Sequence, residues 1–344
     1  MTTYVLGAGA SHHAGYPLAN SMGSQLFLWM KKQAAASGYA ARYPATAQFF
    51  EEHFGAVENI EDLMTRMQEM IDGYEDGTPG QRATRTLVAN ERGVLVEAVR
   101  GWFAEIRQQD QARAYRRFAR NMVRSGDCII TFNYDVALDR ELALAGKFAV
   151  GDGYGFLIEG LPMKSAVRIL KLHGSTNWLA LMFGGESGPM QIQPGNTLGS
   201  RPVIGKNELA FLGCSDASDP AFQRGGGALP VMIMPTRSKR FFFAANTGDE
   251  YTEFWDELWR QASATLQSSD RVVICGYGML EVDERARELL LKAPKKDAEL
   301  IVGSGGRTAQ IVGEYREAGY HRASPATEVM FEKWVDSSTS AAVA

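Results

Sequence analysis

Short apolar runs alternate along this chain with longer stretches in which apolar residues recur every three or four positions. The first run is Tyr4-Val5-Leu6, followed at once by Gly7-Ala8-Gly9-Ala10-Ser11. Further runs are Cys128-Ile129-Ile130-Thr131-Phe132, Val167 to Leu172, Val231 to Met234, Arg271 to Cys275 and Leu300-Ile301-Val302. Such runs, bounded by glycine or polar turn formers, predict short buried strands. The intervening pattern is helical. Leu26 and Met30 share a face with Phe27 and Trp29, and the spacing predicts that this helix opens at Gly15-Tyr16-Pro17-Leu18, with Pro17 in its first turn. Ile60, Leu63, Met64 and Met67 define another helix, with Asn59 as N-cap and Glu61 and Asp62 in the first turn. Leu95, Val99, Trp102, Phe103 and Ile106 mark one more. So do Tyr115, Phe118, Met122 and Val123, closed by Gly126, and later Phe254, Leu258, Trp259, Ala262 and Leu266. Strands alternating with helices predict an α/β fold, a doubly wound parallel sheet of Rossmann-like type. The expected organisation is one domain over 1–335. It carries a helical insertion at 38–126 and a Gly-, Pro- and Ser-rich insertion at 184–230, and ends in a small, polar, disordered tail at 336–344.

Composition narrows the class of protein. The chain has 344 residues, 45% of them hydrophobic and 22% charged, which suffices for a large core without disulfide or metal staples. The net charge of −4 argues against broad nucleic-acid binding. The three cysteines, Cys128, Cys214 and Cys275, lie far apart with no C-x-x-C, so no metal site is expected. Cys128 and Cys275 sit in apolar runs and read as reduced core thiols. No run approaches the ~20 apolar residues of a spanning helix, and no secretory pattern opens the chain, so the cytoplasm is the expected location, with no membrane contact.

Candidate chemistry collects at the strand ends. Parallel doubly wound sheets bind ligands beyond the carboxyl ends of their strands. Those ends carry Gly7 and Gly9, Asn133 and Asp135, His173, Gly276, and Gly303-Ser304. A glycine turn between a strand and a helix offers backbone N–H groups and a helix dipole to a phosphate or pyrophosphate. The G-x-G-x-x-G dinucleotide fingerprint wants a glycine at position 12, where His12 stands, so a plain dehydrogenase is disfavoured. Asn133 can orient a water or a sugar hydroxyl, and Asp135 adds an acceptor or a negative charge. Among five histidines, His173 is the one that ends a strand, and an imidazole pKa near 6.5 suits general-base work. With a pyrophosphate loop, this set could cleave a glycosidic bond in a dinucleotide. The plainer readings stay open: His173 as a buried structural histidine, Asn133 as a turn former. His12, His13, His53 and His321 read as structural or exposed. Arg113, Arg116, Arg117, Arg120 and Arg124 form either a solvated face or a phosphate or partner surface.

Three ordered segments resemble the sirtuin superfamily: Gly7-Ala8-Gly9-Ala10-Ser11 with Gly15-Tyr16-Pro17, then Thr131-Phe132-Asn133-Tyr134-Asp135, then Leu172-His173-Gly174. Further blocks resemble the divergent bacterial sirtuin-like branch of NAD-hydrolysing effectors in anti-phage defence. These are Glu58 to Leu63, Met234 to Lys239, and Gly276-Tyr277-Gly278-Met279 with Asp283. The resemblance implies a sirtuin-like domain without a zinc module that takes NAD as its substrate. Asn133, His173 and Asp135 would be catalytic. Gly7, Ala8, Gly9, Ala10, Ser11, Gly15, Tyr16, Pro17, Thr131 and Phe132 would hold NAD; strand position alone puts Gly276 and Ser304 on the adenine side. The resemblance further implies NAD+ glycohydrolase activity, an abortive-infection role, gating by homo-oligomerisation or by a partner such as an ATPase or translocase, and no metal. Two departures weigh against peptide deacylation: the four-cysteine zinc module cannot be built, and Leu18-Ala19-Asn20 replaces the Asp-Phe-Arg that follows Pro in deacylating sirtuins. Two alternatives remain: a subunit that senses NAD or ADP-ribose and regulates an ATPase-containing complex, and an NAD-dependent protein deacylase.

Overall fold

The computed structural model describes residues 1–35, 38–74, 76–109, 111–155, 165–181, 198–199, 203–204, 207–212, 228–233, 236, 250–280 and 283–341. Its strands, in chain order, are β1 (Thr2–Leu6), β2 (Cys128–Thr131), β3 (Arg168–Lys171), β4 (Gly174–Leu181), β5 (Leu198–Gly199), β6 (Val203–Ile204), β7 (Asn207–Leu212), β8 (Ala228–Met232), β9 (Arg271–Cys275), β10 (Glu299–Gly303) and β11 (Ala323–Pro325). Six of them form one sheet in the order β11-β10-β9-β1-β2-β3, and every pairing in it is parallel. The chain starts in the middle at β1, moves outward through β2 and β3, then crosses back to pair β9 on the other side of β1. Winding therefore reverses between β1 and β9, and a reversal of this kind opens a crevice at the carboxyl edge of a sheet.

The apolar runs form this sheet because both of its faces are covered. Val5, Leu6, Ile129, Ile130, Ile169, Leu170, Val272, Ile274, Leu300 and Val302 are fully buried. Burying each such side chain contributes about 1.5–3 kcal/mol relative to leaving it exposed. The few hydroxyls inside are matched: Thr3 and Ser269 lie 2.6 Å apart, and Thr131 Oγ1 donates to the Leu6 carbonyl at 3.0 Å. Cys128 and Cys275 are free and buried, and burial pushes their thiols up to about 11 and about 12.

Val231 and Met232 of the Val231–Met234 run lie in a strand, β8, but in a different sheet. Only Leu172 and His173 separate β3 from β4, too few for the crossover that a further parallel strand needs. The chain leaves the main sheet there, and β4, β7 and β8 pair antiparallel in a second sheet of order β5-β7-β4-β8, with β6 on β7. Met234 and Pro235, Arg237 to Lys239, and most of the 184–230 stretch lie outside the described residues. The edge strand β11 has no apolar run to announce it, and its Pro325 is tolerated because an edge need not donate on its outer side.

Two helix boundaries differ from the pattern. The helix expected from Gly15 starts at Ala19 and runs to Lys32. Gly15 is left-handed at φ +89° and Leu18 is extended at ψ 154°, so Pro17 precedes the helix rather than occupying its first turn. The tail read as disordered from 336 begins inside a helix, Phe331–Ala341. Buried Phe331, Trp334 and Val335 anchor it, and Ser337 and Thr339 bond back to the Trp334 and Val335 carbonyls. Between β1 and β2 lie the helices Tyr43–Phe54, Ile60–Gly73, Pro79–Gln108 and Arg113–Arg117. Asn59 Oδ1 caps the second of them by accepting from the Glu61 N–H at 2.8 Å. Two of the clustered arginines are committed to ion pairs, Arg116 with Glu141 at 3.0 Å and Arg117 with Asp336. Among the described residues no helix is long and apolar enough to cross a membrane.

Candidate functional site

The glycine turn after β1 is pressed against the turn after β9. Gly7 donates to the Cys275 carbonyl at 3.0 Å and Gly9 to the Gly276 carbonyl at 2.9 Å. A Cβ on Gly7 would lie 2.6 Å from Gly276 O, and one on Gly276 (φ +65°) would lie 2.1 Å from the Ala10 nitrogen. These glycines therefore serve first to let two backbones meet at the point where the winding reverses. This changes the picture of an open phosphate cradle. The N–H groups of Gly7, Gly9 and Ala10 already have backbone partners, and the helix that follows, Ala8–Ser11, is a single turn.

One residue further, Ser11 is a hydrogen-bond hub. Its hydroxyl donates to Asp135 Oδ2 at 2.7 Å. It accepts from Asn133 Nδ2 at 2.9 Å and lies 2.7 Å from the Tyr115 hydroxyl. A hydroxyl has one proton and two lone pairs. With its proton on Asp135, Ser11 takes the Tyr115 proton as acceptor and is saturated. Burial holds the Tyr115 phenol well above its ordinary value, which keeps it a donor. Asn133 Nδ2 also donates to the Gly7 carbonyl at 2.9 Å, so both amide protons are engaged. A carbonyl can only accept, so this contact fixes the amide's orientation and leaves Oδ1 as the group available to a ligand. Behind it, Thr131 Oγ1 takes the Asn133 N–H at 3.1 Å while holding the Leu6 carbonyl, a tie from β2 to β1. Asp135 Oδ1 accepts the Ala137 N–H at 3.1 Å. Burial raises the Asp135 carboxyl above its ordinary range; Lys171, Ser11 and the Ala137 N–H pull it back down, in that order.

His173 ends the extended run after β3 and is 7% exposed. Its carbonyl accepts from the Ile233 N–H at 2.8 Å, and its ring meets Phe132 edge-on, centroids 5.1 Å apart. Phe132 stacks on Tyr277 at 4.2 Å and 18°. Tyr277 donates to Asp283 Oδ2 at 2.7 Å, and that oxygen lies 3.9 Å from His173 Nε2. This distance is too long for a hydrogen bond, and it sets the carboxylate beside the imidazole ring.

A cavity of about 460 Å³ joins these pieces, a size in the range of small-molecule sites. Of the residues singled out from sequence, Ala8, Gly9, Ser11, Tyr16, Pro17, Phe132, Asn133, Asp135, His173, Gly276 and Ser304 line it. Gly7, Ala10, Gly15 and Thr131 are not among its described lining residues. Gly7 and Thr131 orient Asn133, Ala10 is fully buried, and the left-handed turn at Gly15 delivers Tyr16 and Pro17 to the wall. The cavity is also lined by residues not assigned to the site above: His12, Glu61, Phe103, Tyr277 and Asp283, and Met330 and Phe331 near the C-terminus. Glu61 follows the Asn59 cap, and Tyr277 and Asp283 lie in the Gly276 block, so their sequence neighbourhoods did carry a signal. Nothing local marks Phe331. None of the described lining residues is Lys or Arg. Among the described residues no cluster of His, Cys, Asp or Glu is of a kind to hold a metal ion.

Solved structures similar to this chain include Sir2 proteins. One is a Sir2 homologue in complex with NAD, 11% identical, covering 100% of this chain and 90% of that one, with a TM-score of 0.41. A second is Sir2 with an inhibitor, 2′-O-acetyl-ADP-ribose and a deacetylated peptide, at 10% identity, 100% and 94% coverage and a TM-score of 0.40. A third, a mutant Sir2 homologue with ADP-ribose, is 12% identical over 98% of this chain and 93% of that one, with a TM-score of 0.37. No protein-family model and no curated protein matches the chain. The fold class stated above rests on this chain's own sheet order and pairings.

Proposed function

We propose that this chain is an NAD+ glycohydrolase that cleaves NAD+ to nicotinamide and ADP-ribose. The observation that carries the reading is the orientation of Asn133. Its amide protons are taken by Gly7 and Ser11, and its Oδ1 is left at a cavity shared with Asp135 and His173, at the point where the sheet reverses. In the reaction the bond between the ribose anomeric carbon and the nicotinamide nitrogen breaks, and nicotinamide leaves with the electron pair. Water adds to the anomeric carbon and loses a proton. Asn133 Oδ1 accepts a hydrogen bond from that water and aims it. His173, with the Asp283 carboxylate beside it, takes the proton from the water or from a ribose hydroxyl. The buried Asp135 carboxylate opposes the positive charge that develops on the sugar ring. With no Lys or Arg among the described lining residues, the diphosphate depends on N–H groups at the cavity edge other than those of Gly9, Ala10, Ser304 and Gly305, which already have protein partners. Gly276 and Ser304 take the adenine side.

The setting we infer with this activity is the bacterial cytoplasm, as an abortive-infection effector in anti-phage defence. Uncontrolled NAD+ loss would kill the host, so the enzyme is gated by homo-oligomerisation or by a partner such as an ATPase. The 38–126 and 184–230 insertions are the candidate surfaces. This setting is supported by the sequence resemblance alone.

The reading is tested by incubating pure protein with NAD+ and separating the products by chromatography with mass detection. Nicotinamide and ADP-ribose released without any acyl-peptide support it. Release only when an acyl-peptide is added would make the chain a deacylase. Tight binding of NAD+ or ADP-ribose with no release, alone or with a neighbouring ATPase, would make it a sensor.

A further inference from the structure

Behind the cavity wall stands a buried cation that is not among the cavity's lining residues. Lys171, the last residue of β3, has no solvent exposure. Its ammonium donates to the Asp135 carbonyl at 2.5 Å and reaches both Asp139 oxygens, at 3.3 and 3.4 Å. From Asp139 the contacts continue. Tyr154 donates to Asp139 Oδ1 at 2.5 Å, Asn177 Nδ2 donates to the Tyr154 oxygen at 2.9 Å, and Ser175 donates to Asn177 Oδ1 at 2.6 Å. The next N–H, of Thr176, donates to the Tyr134 carbonyl at 2.9 Å. The contacts thus start at the Asp135 carbonyl and return to the Tyr134 carbonyl. They grip the two peptide units on either side of Asp135, using buried side chains and the Thr176 N–H.

An ion pair this deep is a poor device for stability, since apolar residues of similar volume usually serve as well or better. Its position suggests another use. Lys171 lies two residues before His173 on one side and touches the Asp135 main chain on the other. We propose that Lys171 is a positioning residue for the glycohydrolase site: it clamps the Asn133–Asp135 turn through the Asp135 carbonyl and sets a positive charge beside it. This rests on the function proposed above.

The surroundings of Asp135 agree with it. Burial drives its carboxyl up, Lys171 is the first of the groups that lower it, and Asp139, on the helix that follows, adds to the rise. Tyr16 and Tyr115, which face Asp135 from the loop after β1 and from the Arg113–Arg117 helix, are phenols held well above their ordinary values by burial and bring no charge.

The test uses the full chain and three variants: K171R, K171M, and K171M/D139N, which removes both charges of the pair. Two readouts are taken, the Asp135 carboxyl titration by carbon NMR, assigned with D135N, and the pH profile of NAD+ cleavage. In K171M both the titration and the acid limb of kcat move up together by about 1–3 pH units, and kcat falls more than KM changes. K171R restores the acid limb. If K171M does not fold, because Asp139 is left uncompensated, the double variant is read in the same two ways and shows a smaller rise, since the loss of Asp139 offsets part of the loss of Lys171. An Asp135 titration that stays where it is in folded K171M or K171M/D139N overturns the proposal. If the natural protein cleaves no NAD+, the glycohydrolase reading fails, while the carboxyl titration still decides the role of Lys171.

Discussion

Asn133 Nδ2 donates to the carbonyl of Gly7 at 2.9 Å, across 126 positions of the chain. The end of β2 is thereby referenced to the end of β1, and the amide can present only its oxygen to the cavity. Asn133→Ala removes that oxygen along with two hydrogen bonds. Turnover of NAD+ is expected to fall by about 10²-fold or more, and the two lost bonds cost about 1–2 kcal/mol of stability. Asn133→Asp keeps the shape but turns a carboxylate oxygen toward the Gly7 carbonyl, so it is no more active and is less stable than Asn133→Ala. Initial rates beside thermal melts check both statements.

Asp135 sets a trade between stability and activity whose sign can be worked out. Its carboxyl is raised in the folded state, chiefly by burial. The folded protein therefore holds that proton more tightly than the unfolded chain does. The stability this contributes is fully present below the unfolded carboxyl value near 3.9, and it is lost as pH rises through the folded value. Above that folded value the ionised group is a liability. Asp135→Asn is expected to melt no lower than the natural protein at pH 7 while losing most of its turnover. A Tm that drops by several degrees at pH 7, but not at pH 4, would contradict this sign.

Gly276 meets the loop after β1 through backbone alone. Gly276→Ala puts a methyl where only 2.1 Å separates it from the Ala10 nitrogen, on a residue at φ +65°. The left-handed backbone alone costs about 1–2 kcal/mol for an L side chain, and the overlap must also push the two turns apart. The expected outcome is a loss of about 2 kcal/mol or more, with weaker NAD+ binding. Denaturant melts and calorimetric titration measure the two effects on the same sample.

Tyr16 is 3% exposed and lines the cavity, and its hydroxyl has no hydrogen-bond partner among the described residues. An unsatisfied buried hydroxyl costs about 1–3 kcal/mol. Tyr16→Phe is therefore expected to raise the melting temperature of the free protein. If a ligand supplies the missing partner, the same change weakens its binding. Melting with and without ADP-ribose separates the two: the natural protein gains more from the ligand than Tyr16→Phe does.

The central sheet was legible because its strands are buried on both faces, which leaves unbroken apolar runs such as Val272-Val273-Ile274. The second sheet was not legible in the same way. What sends β8 there is the two-residue link between β3 and β4, a matter of connection length rather than of composition. At the site, the groups sitting directly on strand ends could be read: Asn133, Asp135, His173, Gly276 and Ser304. Residues that reach the cavity or its hydrogen-bond network from elsewhere could not. Tyr115 reads as one member of a helical core stripe, and its ring is indeed buried, but its hydroxyl ends on Ser11. Phe331 arrives from the far end of the chain. The glycines of the first turn were legible as sites of close approach, but what approaches Gly7 and Gly9 is the Gly276–Tyr277 backbone. A single sequence cannot show which partner a glycine makes room for.

The most direct test of the central claim is nicotinamide release from NAD+ by the natural protein, Asn133→Ala and His173→Ala side by side, each first shown to be folded. The account predicts nicotinamide and ADP-ribose from the natural protein with no acyl-peptide present, and loss of both products in each variant. Release that continues undiminished in folded His173→Ala, or in folded Asn133→Ala, would contradict it.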